Sequence, residues 1–249
     1  MPESILIIGK SKVGQSLAKA IRTSKSFRLA GIIPARADLY PVFNADIIII
    51  AAKDDKISEV AQKAILKSRR PPAIIVHLAG SLPSTILPVR PGVMRLTLHP
   101  IQTFSKPDPV LLQDIYWMAS SNERYAIQWA RKFVAEFAAR GVIALRGDAL
   151  PLYHAMTVFS SNFITLLFSG IEEISAALGQ DTKKMKAALR PLAEKSLQNV
   201  LEKQAKFVLS GPINRKDLST ILKHQKALKA LDPKLKKIYD AFVEFGLPK

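Results

Sequence analysis

The chain has 249 residues, 48% of them apolar and 7% aromatic, enough for one large domain or two modest ones with a full core. It has no cysteine, which excludes a disulfide framework and thiolate chemistry and agrees with a cytoplasmic location. Its net charge of +17 comes from scattered lysines, densest in "DTKKMKAALR" and "LDPKLKKIYD", which read as solvated helix faces rather than a nucleic-acid surface interleaved with aromatics.

The first residues lead into a strand-like run without a secretory pattern, and uninterrupted apolar runs stay below the roughly 18 residues a bilayer requires. No membrane partner is therefore expected. Up to about residue 145, short apolar runs alternate with helical patterns. Strands are predicted at 4–8, 27–33, 46–51, 72–78, 93–98, 115–118 and 142–145, with helices at 13–23, 57–68 and 122–139. Continuous runs such as Ile47 to Ile50 suit strands buried on both faces, as in a parallel α/β sheet with helices on each side. After Gly147 the strands stop. Helices are predicted near 149–178, 182–209, 215–230 and 233–245, the first closed by Gly179. The expected architecture is α/β: a Rossmann-type parallel-sheet domain over 1–147, then an all-helical domain over 148–249 for substrate binding and dimerisation.

The stretch "ILIIGKSKVGQSLAKAI" links the first strand to the first helix. As a P-loop it fails at Gln15, where the phosphate-reaching lysine belongs. As a dinucleotide-binding turn it needs only backbone approach to a pyrophosphate at a helix N-terminus, and its one departure is Ser11 in the place of the middle glycine. That milder failure makes Gly9, Ser11, Lys12, Val13 and Gly14 the candidate cofactor-binding residues. At the end of the second strand, Arg36 stands where an acid would bind the ribose hydroxyl of NAD; a guanidinium there suits the 2′-phosphate of NADP, so NADP(H) is the expected cofactor.

His77 and His99 each sit at a predicted strand end, where open α/β sheets bind ligands. In "LPLYHAMTVFSSNFITL", His154, Ser161 and Thr165 fall on one stripe of an apolar helix, with Asn162 bordering it. "LSGPINRKDLSTILKHQKAL" places Asp217, Thr220 and His224 on one helical face, with Asn214 as the expected cap and Arg215 available to hold an anion.

The segments "IGKSKVGQSLAKAI", "ADIIIIAAKDDKI", "VHLAGSL", "LHPIQTF", "LYHAMTVFSSNF" and "LSGPINRKDLSTILKH", in that order, resemble domain-of-unknown-function family 2520, bacterial relatives of ketopantoate reductase and the F420-dependent NADP reductases. The resemblance implies a nicotinamide-dependent oxidoreductase architecture, usually dimeric, with no firmly assigned reaction. It also marks His99, Tyr153, His154, Asn162, Arg215, Asp217 and His224 as recurrent polar positions. Three departures stand out: Ser11, Ala52-Lys53 where relatives tend to have Val-Pro, and a long helix with Asn162 but no lysine between Lys132 and Lys183.

The expected activity is NADP(H)-dependent reduction or oxidation of a small polar carbonyl or imine metabolite. His154 would be the acid, with His99 in reserve, and Asn162 a donor to the reacting group. Tyr153, Ser161, Arg215, Asp217 and His224 would bind substrate, and the helical domain would form a homodimer. The alternative is a sensor or scaffold that binds the cofactor without turnover.

Overall fold

The computed structural model describes residues 2–36 and 44–247. Its chain divides into two compact units, residues 1–161 and 162–249.

In the first unit the described residues form a seven-stranded sheet of order β2-β1-β3-β4-β5-β6-β7. The strands are β1 (Glu3–Ile8), β2 (Phe27–Ile33), β3 (Ile47–Ile50), β4 (Ile74–His77), β5 (Met94–Pro100), β6 (Tyr116–Ser120) and β7 (Gly141–Ala144). Helices α1 (Lys12–Ile21), α2 (Ile57–Lys67), α3 (Arg124–Ala135) and α4 (Leu150–Ser160) complete the unit.

The continuous apolar strands are explained by two-sided burial. Ile5, Ile7, Ile47, Ile49, Val76, Leu96 and Leu98 pack with Leu17 and Ile21 of α1 and Phe133 of α3. The alternate residues Leu6, Ile8, Ile48, Ile50 and Ile75 pack on the opposite face with Ile57, Val60 and Ile65 of α2. A strand's period of two sends neighbours to opposite faces, so a strand covered on both sides must be apolar at every position. Each fully buried isoleucine contributes about 1.5–3 kcal/mol.

One pairing departs from the expected parallel sheet: β6 runs antiparallel to β5. No helix crosses back between them, because residues 101–115 hold only the 3-10 turn Pro109–Leu112. Without a crossover the chain re-enters from the edge it left, and the strand reverses.

The turn before β2 is tied to the end of α3. The Glu136 carboxylate accepts hydrogen bonds from the Ser24 and Ser26 hydroxyls, each at 2.7 Å, and from Lys25 N–H at 2.9 Å. These donors, the Ser24 hydroxyl foremost, pull its carboxyl down from 4.5 to about 2. A carboxylate so depressed adds stability above its unfolded value and loses it as pH falls from about 4.5 to about 2. Glu136→Gln should therefore lower the thermal midpoint at pH 7 and shrink that gap in acid. A gap unchanged from pH 7 to pH 2.5 would refute the clamp.

The second unit is helical: α5 (Asn162–Ala177), α6 (Thr182–Glu202), α7 (Ala205–Val208), α8 (Gly211–Asn214), α9 (Leu218–Leu231) and α10 (Pro233–Gly246). Its enclosed apolar side chains are few; among the described residues only Ile221 and Val243 are buried. Leu166, Leu192, Leu201, Phe207, Leu222 and Phe245 are among the large apolar side chains left exposed.

The chain from Gly147 to Ala177 reaches membrane-crossing length and apolarity, with a mean hydropathy of 1.2. This corrects the expectation that no segment reaches that length: the uninterrupted runs are short, but scattered Ser, Thr and Asn residues barely lower the average. One such stretch is weak evidence for a membrane. It is also not one straight helix, because Ser161 at φ −134° and ψ −64° separates α4 from α5. The expected polar stripe was counted along an unbroken helix, and the backbone breaks at Ser161 between its first and last members.

Candidate functional site

The turn from β1 into α1 is built around Gly9. Its φ is +114°, and a Cβ placed there would lie 2.2 Å from the Ala51 carbonyl oxygen. Gly14 is equally tight, since a Cβ on it would meet the Ala51 Cβ at 2.7 Å. The two glycines let the turn lie directly on the end of β3, where Ala51 N–H donates to Ile8 C=O at 2.7 Å.

Ser11 needs no glycine freedom, because its backbone is extended at φ −61° and ψ 159°. It is the N-cap of α1, and its Oγ accepts from Gly14 N–H at 3.1 Å. Its hydroxyl hydrogen remains available for a phosphate oxygen. The helix start also leaves the N–H groups of Lys12 and Val13 without intrahelical partners, and the side chains of Lys10 and Lys12 are exposed beside them. Arg36 is exposed just past β2. These donors and cations fit the phosphates of a dinucleotide. Among the described residues no three His, Asp or Glu side chains are grouped to hold a metal ion.

Three histidines lie at the carboxyl ends of β4 and β5 or beside them, and their surroundings sort them. His77 is fully buried. Its Nδ1 accepts from Ala79 N–H at 3.3 Å, so Nε2 carries the hydrogen and donates to Thr97 Oγ1 at 2.9 Å and Pro83 C=O at 3.3 Å. The Thr97 hydroxyl donates onward to Leu82 C=O at 3.1 Å. Burial lowers His77 to about 4. It is a neutral strut holding the segment after β4, with both nitrogens committed.

His99 lies on the same face of the sheet as Thr97, two residues along β5. Its Nδ1 is 2.7 Å from the Tyr153 hydroxyl. Burial, with the His154 charge as a second cause, lowers His99 to about 4. Tyr153 is fixed by packing with Leu150 of α4 against Met118 of β6, and burial raises its phenol well above the usual range.

The His154 ring stands 6.1 Å from that of His99, edge to face. Among the described residues neither of its ring nitrogens has a hydrogen-bond partner. Gly80, just past β4, makes the approach of both rings possible: a Cβ there would fall 2.8 Å from His154 Cδ2 and 3.1 Å from His99 Cδ2. Gly80 escaped the sequence reading; its only signal was a glycine following a strand end by three residues. A separate cleft of about 630 Å³, lined in part by Pro83, Thr85, Asn122 and Arg146, contains none of the candidate residues.

His99, Tyr153 and His154 are thus brought together within the first unit. Asn162, Arg215, Asp217 and His224 belong to the second. There Asp217, not Asn214, caps α9: its carboxylate accepts from Thr220 N–H at 3.1 Å, from Thr220 Oγ1 at 2.7 Å and from Ser219 Oγ at 3.1 Å. Those bonds, with Arg215 as a lesser cause, lower its carboxyl below the usual range. His224 turns to α10, where its Nδ1 is 2.9 Å from the Tyr239 hydroxyl. Asn162 opens α5, and Arg215 is exposed at the end of α8. Ser161 donates to Thr157 C=O at 2.8 Å.

A mostly parallel sheet with a glycine turn at its carboxyl edge, followed by a helical region, defines an α/β protein of Rossmann type. The chain belongs to the family described as Domain of unknown function (DUF2520), whose model matches residues 115–244. Over nearly its whole length it is similar to solved structures at low identity. A Bacteroides fragilis protein provisionally called an NADP oxidoreductase superposes with a TM-score of 0.79 at 22% identity, over 98% of this chain and 97% of that one. A Myxococcus stipitatus imine reductase in complex with NADP+ gives 0.66 at 13%, over 98% and 92%. A Cupriavidus necator semialdehyde dehydrogenase NAD-binding protein, in complex with calcium and NAD, gives 0.62 at 16%, over 96% of each. No curated protein matches by sequence.

Proposed function

We propose that the protein is an NADP(H)-dependent oxidoreductase acting on a small polar carbonyl or imine metabolite. The observation that carries this reading is a single sheet edge bearing both the Gly9–Gly14 turn, with its phosphate donors, and the His99–Tyr153–His154 cluster. The solved structures of the same fold that hold NADP+ or NAD support it.

When bound, the nicotinamide supplies or accepts the hydride. The chain's own residues bind, orient and move the proton. Lys12 and Val13 N–H with the Ser11 hydroxyl would hold the pyrophosphate, and Arg36 would hold the 2′-phosphate. His154, whose ring nitrogens have no partner among the described residues, is the acid that protonates the reduced atom. In the second unit, Asn162 and Arg215 are the candidate hydrogen-bond donor and anion anchor, while Asp217 and His224 are already engaged by Thr220 and Tyr239.

Titration with NADPH and NADH, followed by fluorescence and thermal shift, tests the reading. Stabilisation by NADPH is expected, and none by either cofactor would sink it. Binding without turnover across a panel of carbonyls and imines would favour the sensor, which Ser11 and the absent helix lysine also suit. Arg36→Ala should weaken NADPH by about tenfold or more, the worth of a charged hydrogen-bonded contact, and leave NADH within twofold. Equal losses would remove the 2′-phosphate assignment.

The homodimer expected of the helical region gains support from its unburied apolar side chains. A unit with two buried apolar side chains among its described residues is short of the burial that offsets the entropy of ordering its helices, and a second copy covering α5 would supply it. Sedimentation should find twice the 27.5 kDa chain mass. Leu166→Glu with Leu167→Glu should halve it and lower the thermal midpoint. A monomeric wild type would end the proposal.

A further inference from the structure

The bond between His99 and Tyr153 can be drawn in two directions. If His99 Nδ1–H donated to the phenol oxygen, the phenol hydrogen would need an acceptor. Tyr153 is only 6% exposed, and its hydroxyl has no other partner among the described residues. A buried donor left unpaired costs about 1–3 kcal/mol. If the phenol donates instead, its hydrogen is satisfied by Nδ1, and the single hydrogen of a neutral imidazole must sit on Nε2.

That nitrogen has no partner within the described chain. It is not sealed away either: the fully enclosed side-chain polar atoms without partners, among the described residues, are the indole nitrogens of Trp117 and Trp129. Nε2–H therefore meets accessible space at the carboxyl end of β5. Gly80, by lacking a side chain, leaves the ring face open to close approach.

We infer that Tyr153 is a positioning residue that locks His99 in the Nε2–H tautomer, so that His99 acts as a neutral hydrogen-bond donor to the reacting oxygen or nitrogen while the separate His154 delivers the proton. Burial supports it, since a ring held at about 4 carries no charge near neutrality. A neutral imidazole can polarise a carbonyl without taking part in net proton transfer. The inference rests on the oxidoreductase reading for its function but not for its geometry.

The test begins with nitrogen-15 NMR of the imidazoles in the free, full-length protein. The expected spectrum shows His99 with an unprotonated Nδ1 and a protonated Nε2; a protonated Nδ1 would overturn the inference. Tyr153→Phe keeps the ring packed against Met118 and removes the donor. It should give a mixed tautomer and, once a substrate is found, a kcat about tenfold lower with KM within twofold. An unchanged tautomer in a folded Tyr153→Phe protein would also overturn it. Should that variant fail to fold, the wild-type spectrum alone decides.

His99→Gln places an amide donor near the Nε2 position and should retain more activity than His99→Asn, whose amide mimics Nδ1. The reverse order would count against the donor role. Absence of any cofactor binding alongside an intact Nε2–H tautomer would refute the oxidoreductase reading and the donor role built on it, while confirming the Tyr153 lock.

Discussion

Gly9→Ala is expected to destabilise the first unit and, with it, to abolish the dinucleotide binding proposed for this turn. A residue with a Cβ costs about 1–2 kcal/mol when forced into left-handed backbone. Gly9 adds a collision, because the new carbon would lie 2.2 Å from the Ala51 carbonyl oxygen and 2.9 Å from Ala52 N, both rigid backbone atoms. Forcing a group into a filled site costs roughly a further 1–3 kcal/mol, so a total of about 2–5 kcal/mol is expected. That is a large share of the usual margin of about 5–15 kcal/mol.

Gly179→Ala is the control. Its φ is +66° but nothing lies within 4 Å, so only the conformational cost of about 1–2 kcal/mol applies. Urea midpoints for the two variants, read with NADPH thermal shifts, measure the difference. Equal destabilisation would show that the turn does not press on β3 as described.

The second large effect is expected at His154. Its removal should lower kcat by about a hundredfold to ten-thousandfold, the usual contribution of a positioned acid. Cofactor affinity should stay within twofold, because the proposed phosphate donors belong to the turn at Gly9. Single-turnover oxidation of NADPH, with the best substrate from the carbonyl and imine panel, separates the chemical step from binding. A His154→Ala enzyme within tenfold of wild type would move the acid role to another group.

The candidate site divides according to the range of the forces that shape it. The turn at Gly9 and Gly14 is legible because its chemistry is local: a strand end, a tight turn and a helix start occupy consecutive residues. The role of Ser11 was half legible. A small residue could be recognised as tolerable there, but only coordinates show its hydroxyl capping α1 through Gly14 N–H. The stripe running from His154 to Thr165 assumed an unbroken helix, and the break at Ser161 is a backbone event that helical counting cannot see. The polar face of α9 was legible as a pattern, yet Tyr239 and the cap at Asp217 decide what its residues bond.

By itself the sequence determined the α/β class, the strand positions, the glycine turn between the first strand and helix, and the loss of strands after Gly147. Each follows from periodicity and turn chemistry within a few neighbouring residues. Only the tertiary structure decided the reversal of β6, the sorting of His77 from His99, the partnership of Tyr153 with His99, and the place of Gly80 between two rings. Those outcomes depend on contacts between residues far apart in the chain. His99 and Tyr153 are 54 positions apart and meet only because α4 packs along the face of the sheet to which β5 turns His99.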